Sequence, residues 1–300
     1  MTTAETTSKS HRGTIFVEDA EILEQFTHPA DQFVLRVRAP RIAEVAMPGS
    51  FAHITCAPGL PMRRPLSIMR ADSDEGTLDF LYKIVGEGLG RLSQRRTGDS
   101  VSVLGPIGQP FRPDPERPRA LLIGGGVGIP PMVFLAEHIA AGPKSGWQPL
   151  VLMGSEVPFP FRLTRVGAHH GLPRAASAAI EDLQAKDIVS RLASMADLDG
   201  CYRGYVTDLA AAWLSGLTDK DIDEVTMFAC GPTPMLEAAA AVARRFSVPC
   251  QVSLEEYMAC AVGGCAGCAV AVRTDDGVAM KRVCVDGPVF DAEAVFPPAA

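Results

Sequence analysis

The stretch Glu256-Tyr257-Met258-Ala259-Cys260-Ala261-Val262-Gly263-Gly264-Cys265-Ala266-Gly267-Cys268, answered by Cys284, decides how this chain is read. Its cysteines stand at C-x4-C-x2-C and, after a further 15 residues, C. Thiolates are soft ligands that suit iron–sulfur clusters and zinc. A C-x4-C-x2-C run with a distant fourth cysteine is the plant-type [2Fe–2S] spacing. Gly263, Gly264 and Gly267 let a loop wrap closely and aim backbone N–H groups at sulfur, because glycine tolerates positive φ. Zinc is the rival ligand, but it usually sits between two C-x-x-C knuckles and this chain has one. A disulfide framework fits the glycine-rich triplet poorly.

The rest of the chain is ordinary globular material. Its 300 residues, 47% hydrophobic and 21% charged, predict two or three domains with real cores. A net charge of −7 implies no basic face for nucleic acid. Eight cysteines in a chain this long are not a small secreted disulfide scaffold, and an iron–sulfur site fits a reducing cytoplasm. The other four, Cys56, Cys201, Cys230 and Cys250, are scattered. The tail, residues 1–12, is polar, lacks the apolar core of a signal peptide and is expected to be disordered. The uncharged runs Ala120–Ala136 and Tyr257–Val272 are broken by glycine or proline and fall short of the ~20 residues of a spanning helix, so no membrane span is expected.

From residue 13 to about 113, short strand-like runs alternate with turns: Thr14–Val17, Phe33–Arg38, Phe51–Cys56, Leu66–Met69, Leu78–Val85 and Ser100–Leu104. Six such runs at this spacing predict an antiparallel β-barrel or sandwich. Pro48-Gly49, Pro58-Gly59, Gly76 and Gly98-Asp99 are the breaks. The proline-rich stretch Arg112–Pro118 reads as a linker. Residues 114–250 then alternate strand and helix, the signature of a parallel α/β sheet. Strands are expected at Ala120–Ile123, Leu150–Met153 and Val225–Ala229. Helices are expected through Ala141, at Ala175–Ala185, Ile188–Ala196, Asp208–Leu214 and Pro234–Phe246. Val248–Ser253 leads into a small cluster domain, residues 251–300. Pro158–Ala179 fits no single period and reads as a loop or an insertion.

Four further motifs carry chemistry. Arg64-Pro65-Leu66-Ser67 offers a cation and a hydroxyl, the groups a flavin diphosphate needs; alone it reads equally as a surface arginine before a strand. Leu81-Tyr82-Lys83 follows one hairpin later, where a ring and backbone can line a flavin. Gly86-Glu87-Gly88-Leu89-Gly90 opens a helix, and glycine-rich backbone at a helix N-terminus is a phosphate site or else a flexible turn. Gly124-Gly125-Gly126-Val127-Gly128 lies between a strand and a helix, as does Cys230-Gly231-Pro232-Thr233-Pro234 later on. Open α/β sheets bind ligands at the carboxyl ends of their strands, although neither stretch is the G-x-G-x-x-G fingerprint. Tight packing at the first and a buried apolar thiol at the second are the alternatives. Glu156, after the second strand of this domain, would repel a 2′-phosphate and favours NAD over NADP. The six histidines show no metal spacing. No nucleophile motif appears and no catalytic residue is assigned.

Taken in order, these motifs make the chain resemble the ferredoxin-reductase superfamily and, within it, the electron-transfer subunits of class 1B, NAD-dependent dihydroorotate dehydrogenase. The resemblance runs from residue 13 to Phe290. Its most specific parts are Ser253–Cys268 and Val283-Cys284-Val285-Asp286-Gly287-Pro288-Val289-Phe290. It implies a β-barrel for FAD, an α/β sheet for NAD and a small [2Fe–2S] domain. FAD would be held by Arg64, Pro65, Leu66 and Ser67, by Leu81, Tyr82 and Lys83, and by Gly88 with Leu89. NAD would dock on Gly124, Gly125, Gly126, Val127 and Gly128, with Cys230 and Gly231 near the nicotinamide. Cys260, Cys265, Cys268 and Cys284 would ligate the cluster. Leu89 stands where the family usually has threonine, which removes a hydroxyl from the diphosphate site. The implied partner is an FMN-containing catalytic subunit, in a heterotetramer, that oxidises dihydroorotate in pyrimidine biosynthesis. The rival readings are an NAD(P)H-dependent reductase feeding an oxygenase or a ferredoxin, and a zinc-stabilised binding module. Ala261, Val262 and Ala266, apolar members of the cluster loop, are expected at an interface with the partner, or else inside the cluster domain's own core.

Overall fold

The computed structural model describes residues 14–142 and 146–298, so the predicted tail 1–12 lies outside it. The first third forms a closed barrel. Its elements are β1 (Phe16–His28), β2 (Gln32–Arg38), α1 (Pro40–Val45), β3 (Phe51–Ile54), β4 (Arg64–Asp72), β5 (Thr77–Lys83), α2 (Gly86–Leu92) and β6 (Ser100–Ile107). Around the barrel the strands run β1-β2-β5-β4-β3-β6, each antiparallel to its neighbours. β1 closes the ring. Phe16–Glu21 pairs with β6, Glu21–His28 pairs with β2, and the register shifts between Ile22 and Glu24. Such an irregularity bends a strand and lets it change partners. Only Thr14–Val17 reads as strand in the sequence. The remainder is rich in acidic residues and sends only Ala20 and Ile22 into the core, while Asp19 and Glu21 face out and Glu18 accepts from the Arg41 and Ile42 N–H groups at the start of α1.

A parallel sheet follows, with β9 (Leu163–Arg165) and β10 (Ala178–Ile180) forming a separate ribbon. Its strands are β7 (Arg119–Gly125), β8 (Leu150–Gly154), β11 (Val189–Ser194), β12 (Tyr202–Arg203), β13 (Val225–Cys230) and β14 (Cys250–Ser253). Its helices are α3 (Ile129–Ala141), α4 (Glu181–Gln184), α5 (Val206–Ser215), α6 (Asp219–Asp223) and α7 (Thr233–Phe246). β7 and β13 are buried along most or all of their length, as expected for central strands covered on both faces.

Two predicted helices are corrected. Ile188–Ala196 holds strand β11, and Ala175–Ala185 holds loop, β10 and the single turn α4. Ser190, Arg191 and Ser194 of β11 are all buried, and each makes a hydrogen bond. Arg191 donates to the carbonyls of Ser190 and Gly167 at 2.7 and 2.8 Å, and Ser190 Oγ accepts from Ile180 N at 2.9 Å. Partners within the fold remove the penalty that otherwise keeps such groups at the surface.

The chain ends in a hairpin of β15 (Ala269–Thr274) and β16 (Gly277–Arg282), then β17 (Val289–Asp291) and α8 (Ala292–Val295). β17 adds antiparallel to β14, so the cluster segment is stitched to the edge of the parallel sheet. Residue 251, where the sequence places the start of the cluster domain, lies inside β14. The barrel docks on α3. Met69 and Leu81 from its outer face share a core with Ile129 and Met132, and Arg70 grips Glu137 of α3 through two guanidinium nitrogens at 2.8–3.1 Å.

Candidate functional site

Strand alternation decides which barrel residues can face a ligand. Leu66, Ile68, Phe80 and Tyr82 point into the barrel core, whereas Leu81 turns outward. Pro65, Ser67 and Lys83 share that outward parity and are half-buried. Tyr82 is 1% exposed, its ring is stacked on Phe33 at 5.3 Å, and its hydroxyl donates to Gln25 at 3.0 Å. Its ring therefore builds the barrel and only its backbone is open to a flavin; the aromatic lining expected from sequence is not there. Burial pushes the Tyr82 hydroxyl pKa up.

Arg64 opens β4, with Nη1 donating to the carbonyls of Met62 and Arg63 at 2.9 and 3.2 Å. Gly88 is packed so close that a Cβ there would stand 2.8 Å from Arg64 Nε. The fixed cation and the backbone of α2 thus meet, although their motifs are 24 positions apart. Leu89 packs against the barrel core, which leaves only its N–H for a ligand.

The glycine loop and the Cys230 loop also meet. Within the parallel sheet the order β12-β11-β8-β7-β13-β14 runs outward on both sides from the β7/β13 pair. That is a topological switch point, where open sheets form a crevice at their carboxyl ends. Cys230 is paired with Gly124 across it. A Cβ on Gly128 would lie 2.5 Å from the backbone of Cys230 and Gly231, so the two loops touch main chain to main chain. Gly126 and Val127 stand exposed at the rim. Glu156 follows β8, next to β7, and is exposed.

Glu255 was not singled out from sequence. It follows β14, the neighbour of β13; its side chain is exposed to solvent although protein atoms crowd around the carboxyl. Burial pushes its carboxyl pKa up, and burial, then the Glu255 charge, push the Cys230 thiol up. The signal that could have found it is topological: it sits two residues past the end of β14, the strand beside the switch-point pair.

At the cluster loop, Cys268 and Cys284 are buried with sulfurs 3.3 Å apart, while Cys260 is half-buried and Cys265 exposed. Backbone N–H groups already aim at the sulfurs: Cys265 N to Cys260 at 3.4 Å, Gly267 N to Cys265 at 3.4 Å, and Cys284 N to Cys268 at 3.5 Å. Burial opposes ionisation of Cys260, but backbone donors from Cys265, Val262 and Gly264, with the Cys265 side chain, prevail and bring its pKa to about 7. Burial, and then Cys268, push Cys284 up to about 12. The thiols stand as two pairs, Cys260 with Cys265 and Cys268 with Cys284. Two pairs suit a binuclear cluster, since a single zinc needs its donors gathered about one point. Among the described residues no three His, Cys, Asp or Glu side chains are so gathered.

Of the expected interface residues, Ala261 is corrected. It is 1% exposed and packs with Cys268, Cys284, Phe51 and Ile107. Val262 and Ala266 are exposed, as is Tyr257 at 95%.

The family model for the iron–sulfur cluster binding domain of dihydroorotate dehydrogenase B matches residues 255–296. Over 249 residues the chain is 35% identical to the dihydroorotate dehydrogenase B (NAD(+)) electron transfer subunit of Caldanaerobacter subterraneus subsp. tengcongensis, covering 83% of this chain and 87% of that one. The subunit of the same name from Bacillus caldolyticus is 34% identical, with 85% and 88% covered. Among solved structures, an NADH-dependent reduced ferredoxin-NADP oxidoreductase superposes with a TM-score of 0.73 at 26% identity, covering 93% of this chain and 90% of the other. The ferredoxin reductase of carbazole 1,9a-dioxygenase shares the fold, with a TM-score of 0.60 at 23% identity over 78% of this chain and 67% of that one.

Proposed function

The chain belongs to the family of dihydroorotate dehydrogenase B electron transfer subunits, and from that premise we propose that it carries electrons between NAD and a partner subunit oxidising dihydroorotate to orotate. The chemistry supplied by bound FAD would be hydride exchange with the nicotinamide and single-electron transfer to a [2Fe–2S] cluster. Everything else falls to positioning. Arg64, with the backbone of Gly88 and Leu89, neutralises and orients the FAD diphosphate. Pro65, Ser67, Leu81 and Lys83, with the main chain of Leu66 and Tyr82, line the flavin. Gly124–Gly128 lets the NAD diphosphate approach the backbone, and Cys230, Gly231 and Glu255 border the nicotinamide. Cys260, Cys265, Cys268 and Cys284 hold the cluster. Val262, Ala266 and Tyr257 offer the partner an apolar face beside it.

The observation that carries this reading is the barrel wall β5-β4-β3-β6, which packs on the nucleotide domain through one part and on the cluster loop through another. β4 would bear flavin contacts. Met69 and Leu81 pack against the nucleotide domain, and Phe51 and Ile107 share a core with Cys268 and Cys284. Among the described residues no helix is long and apolar enough to cross a membrane, and a cytoplasmic setting, which keeps the thiols reduced, suits the site.

The test is anaerobic purification with and without the FMN-containing catalytic subunit. We expect flavin and iron–sulfur absorbance in this chain, a stable complex taken to be a heterotetramer, and dihydroorotate-dependent reduction of NAD⁺ only by the complex. A colourless protein with stoichiometric zinc, or NADH oxidation that feeds a ferredoxin while no complex forms, would overturn the reading.

A further inference from the structure

The stretch Pro158–Ala179, which fits no single period in the sequence, is unused by the relay. In the structure it holds most of the ribbon β9-β10 and the chain around it. β10 runs beside β11. Ile180 N donates to Ser190 Oγ at 2.9 Å near the start of β11, and Ser177 N and Ala178 N donate to the Gly200 carbonyl at 2.9 and 2.8 Å beyond its end. The ribbon thus reaches the carboxyl edge of the parallel sheet. Between it and the loops leaving β8 and β11 lies a cavity of about 320 Å³, lined in part by Pro158, Leu163, Thr164, Arg165, Leu198 and Asp199.

Apolar side chains left in water collect near the same edge. From β7 to β14 the described residues include four large ones, Val127, Leu163, Met195 and Tyr205, between 40% and 62% exposed. Val127, Met195 and Tyr205 follow the ends of β7, β11 and β12, strands that run parallel, and Leu163 lines the cavity. Ligand clefts are lined mainly by such side chains, with a few placed polar groups. Three ties hold the walls. Gln32 of the barrel, itself buried, donates to the Pro158 carbonyl at 2.8 Å. Ser194 Oγ donates to the Ser155 carbonyl at 2.6 Å. Arg165 pairs with Asp199 and donates to Ser177 Oγ.

β8 and β11 lie on the side of β7 away from β13. With the nicotinamide over β13 and the diphosphate over the β7 loop, the adenosine runs over β8 toward β11, two strand spacings or about 10 Å away. The cavity stands there. Pro158, Leu163 and Leu198 offer apolar surface to a flat ring, and a fixed guanidinium such as that of Arg165 stacks on aromatic faces. Glu156, exposed two residues past the end of β8, is placed as the acidic group that accepts from ribose hydroxyls in dinucleotide sites.

We infer that the ribbon β9-β10, with the loops leaving β8 and β11, forms the adenosine end of the NAD site, the purine lying against Leu163, Leu198 and Arg165. The inference rests on the NAD reading above, and its test separates the two.

The holoprotein is assayed for NADH-to-dye turnover, with reduced nicotinamide mononucleotide as a second substrate and AMP as an inhibitor. The mononucleotide has the reacting ring without adenosine, and AMP has adenosine without the reacting ring. Leu163 has 41% of its surface left to cover, so in Leu163→Ala the KM for NADH and the inhibition constant of AMP should rise together, about three- to tenfold. The kcat with NADH, and all turnover of the mononucleotide, should stay within about twofold of wild type, because only binding at the adenosine end is lost. Arg165→Lys keeps the charge, loses the plane and should show the same split. Leu163 is exposed on the ribbon, so its truncation leaves the fold intact. Unchanged NADH kinetics in both variants overturn the inference, as does an equal loss with the mononucleotide, or AMP that does not compete with NADH in the wild type. If the wild type oxidises neither NADH nor the mononucleotide, the NAD reading itself falls and this inference falls with it.

Discussion

Gly128→Ala tests whether the nucleotide crevice depends on main-chain contact between the β7 and β13 loops. Gly128 has ordinary right-handed dihedrals, φ −83° and ψ 2°, so alanine meets no backbone penalty of its own. The cost is steric. The new Cβ would fall 2.5 Å from the carbonyl carbon and oxygen of Cys230 and the nitrogen of Gly231. None of these is a flexible side-chain tip. Ordinary carbon contacts lie near 3.5–4.0 Å, so the loops must part by about 1 Å. Overpacking of this kind typically costs 1–3 kcal/mol. For a domain of this size that lowers the melting temperature by roughly 3–10 °C. A displacement of about 1 Å at a cofactor crevice can cost about a hundredfold in rate, so NADH-to-dye turnover should fall more than stability does. Gly126→Ala is the control: φ is +56° and no atom lies within 4 Å of its Cβ, so it should cost about 1–2 kcal/mol of left-handed strain without parting the loops. Unchanged melting and unchanged NADH turnover in Gly128→Ala would refute the contact and, with it, this placement of the dinucleotide.

Cys265→Ser replaces a soft thiolate with a harder oxygen and should lose the cluster while FAD stays bound; unchanged iron content and absorbance would remove Cys265 from the ligand set. Arg64→Ala should weaken FAD by the value of a charge-assisted contact, about 1.5–3 kcal/mol, measurable by equilibrium dialysis. Arg63 should not rescue it, since its guanidinium is tied to Ser102 and the His53 carbonyl. The folded pKa of His53, about 4, lies below the ordinary 6.5, so the unfolded chain binds the extra proton first. Stability from this group is complete above pH 6.5 and is lost as pH falls toward 4, on the order of 3 kcal/mol. Melting of apo-protein across that window should flatten in His53→Leu. Ala261 and Ala266 both hold positive φ, +57° and +55°, but only Ala261 is buried. Ala266→Gly should therefore raise cluster retention on heating, whereas Ala261→Gly, which also loses a buried methyl, should gain less or nothing.

The iron–sulfur domain, the glycine loops and the barrel's turns were legible because each rests on local chemistry: sulfur spacing, permissive φ or turn residues. What was not legible depended on partners distant in the chain. β11 reads as helix until Gly167 and Ile180 supply hydrogen bonds to Arg191 and Ser190. Tyr82 reads as a flavin platform until Phe33 and Gln25 claim it from the barrel interior. Ala261 reads as an interface residue until Phe51 and Ile107, from the barrel, bury it. Glu255 and His53 carry no motif at all. They matter because of what the sheet and the barrel wall bring beside them.

The shortest barrel strand shows how the barrel anchors the cluster loop. β3 has four residues, of which Ala52 and Ile54 belong to the barrel's own core. The alternate pair points the other way, Phe51 into the cluster core and His53 beside Pro65 of β4 and Leu104 of β6. Residues two apart on a strand are separated by about 7 Å. One step of a hydrogen-bonded strand, held by β4 on one side and β6 on the other, therefore sets the offset between these two side chains. The loop that carries Cys260, Cys265 and Cys268 can then be left partly exposed for a partner. Its inner end is anchored where Cys268 and Cys284 pack beneath Phe51, so an exposed rim need not loosen the electron path behind it.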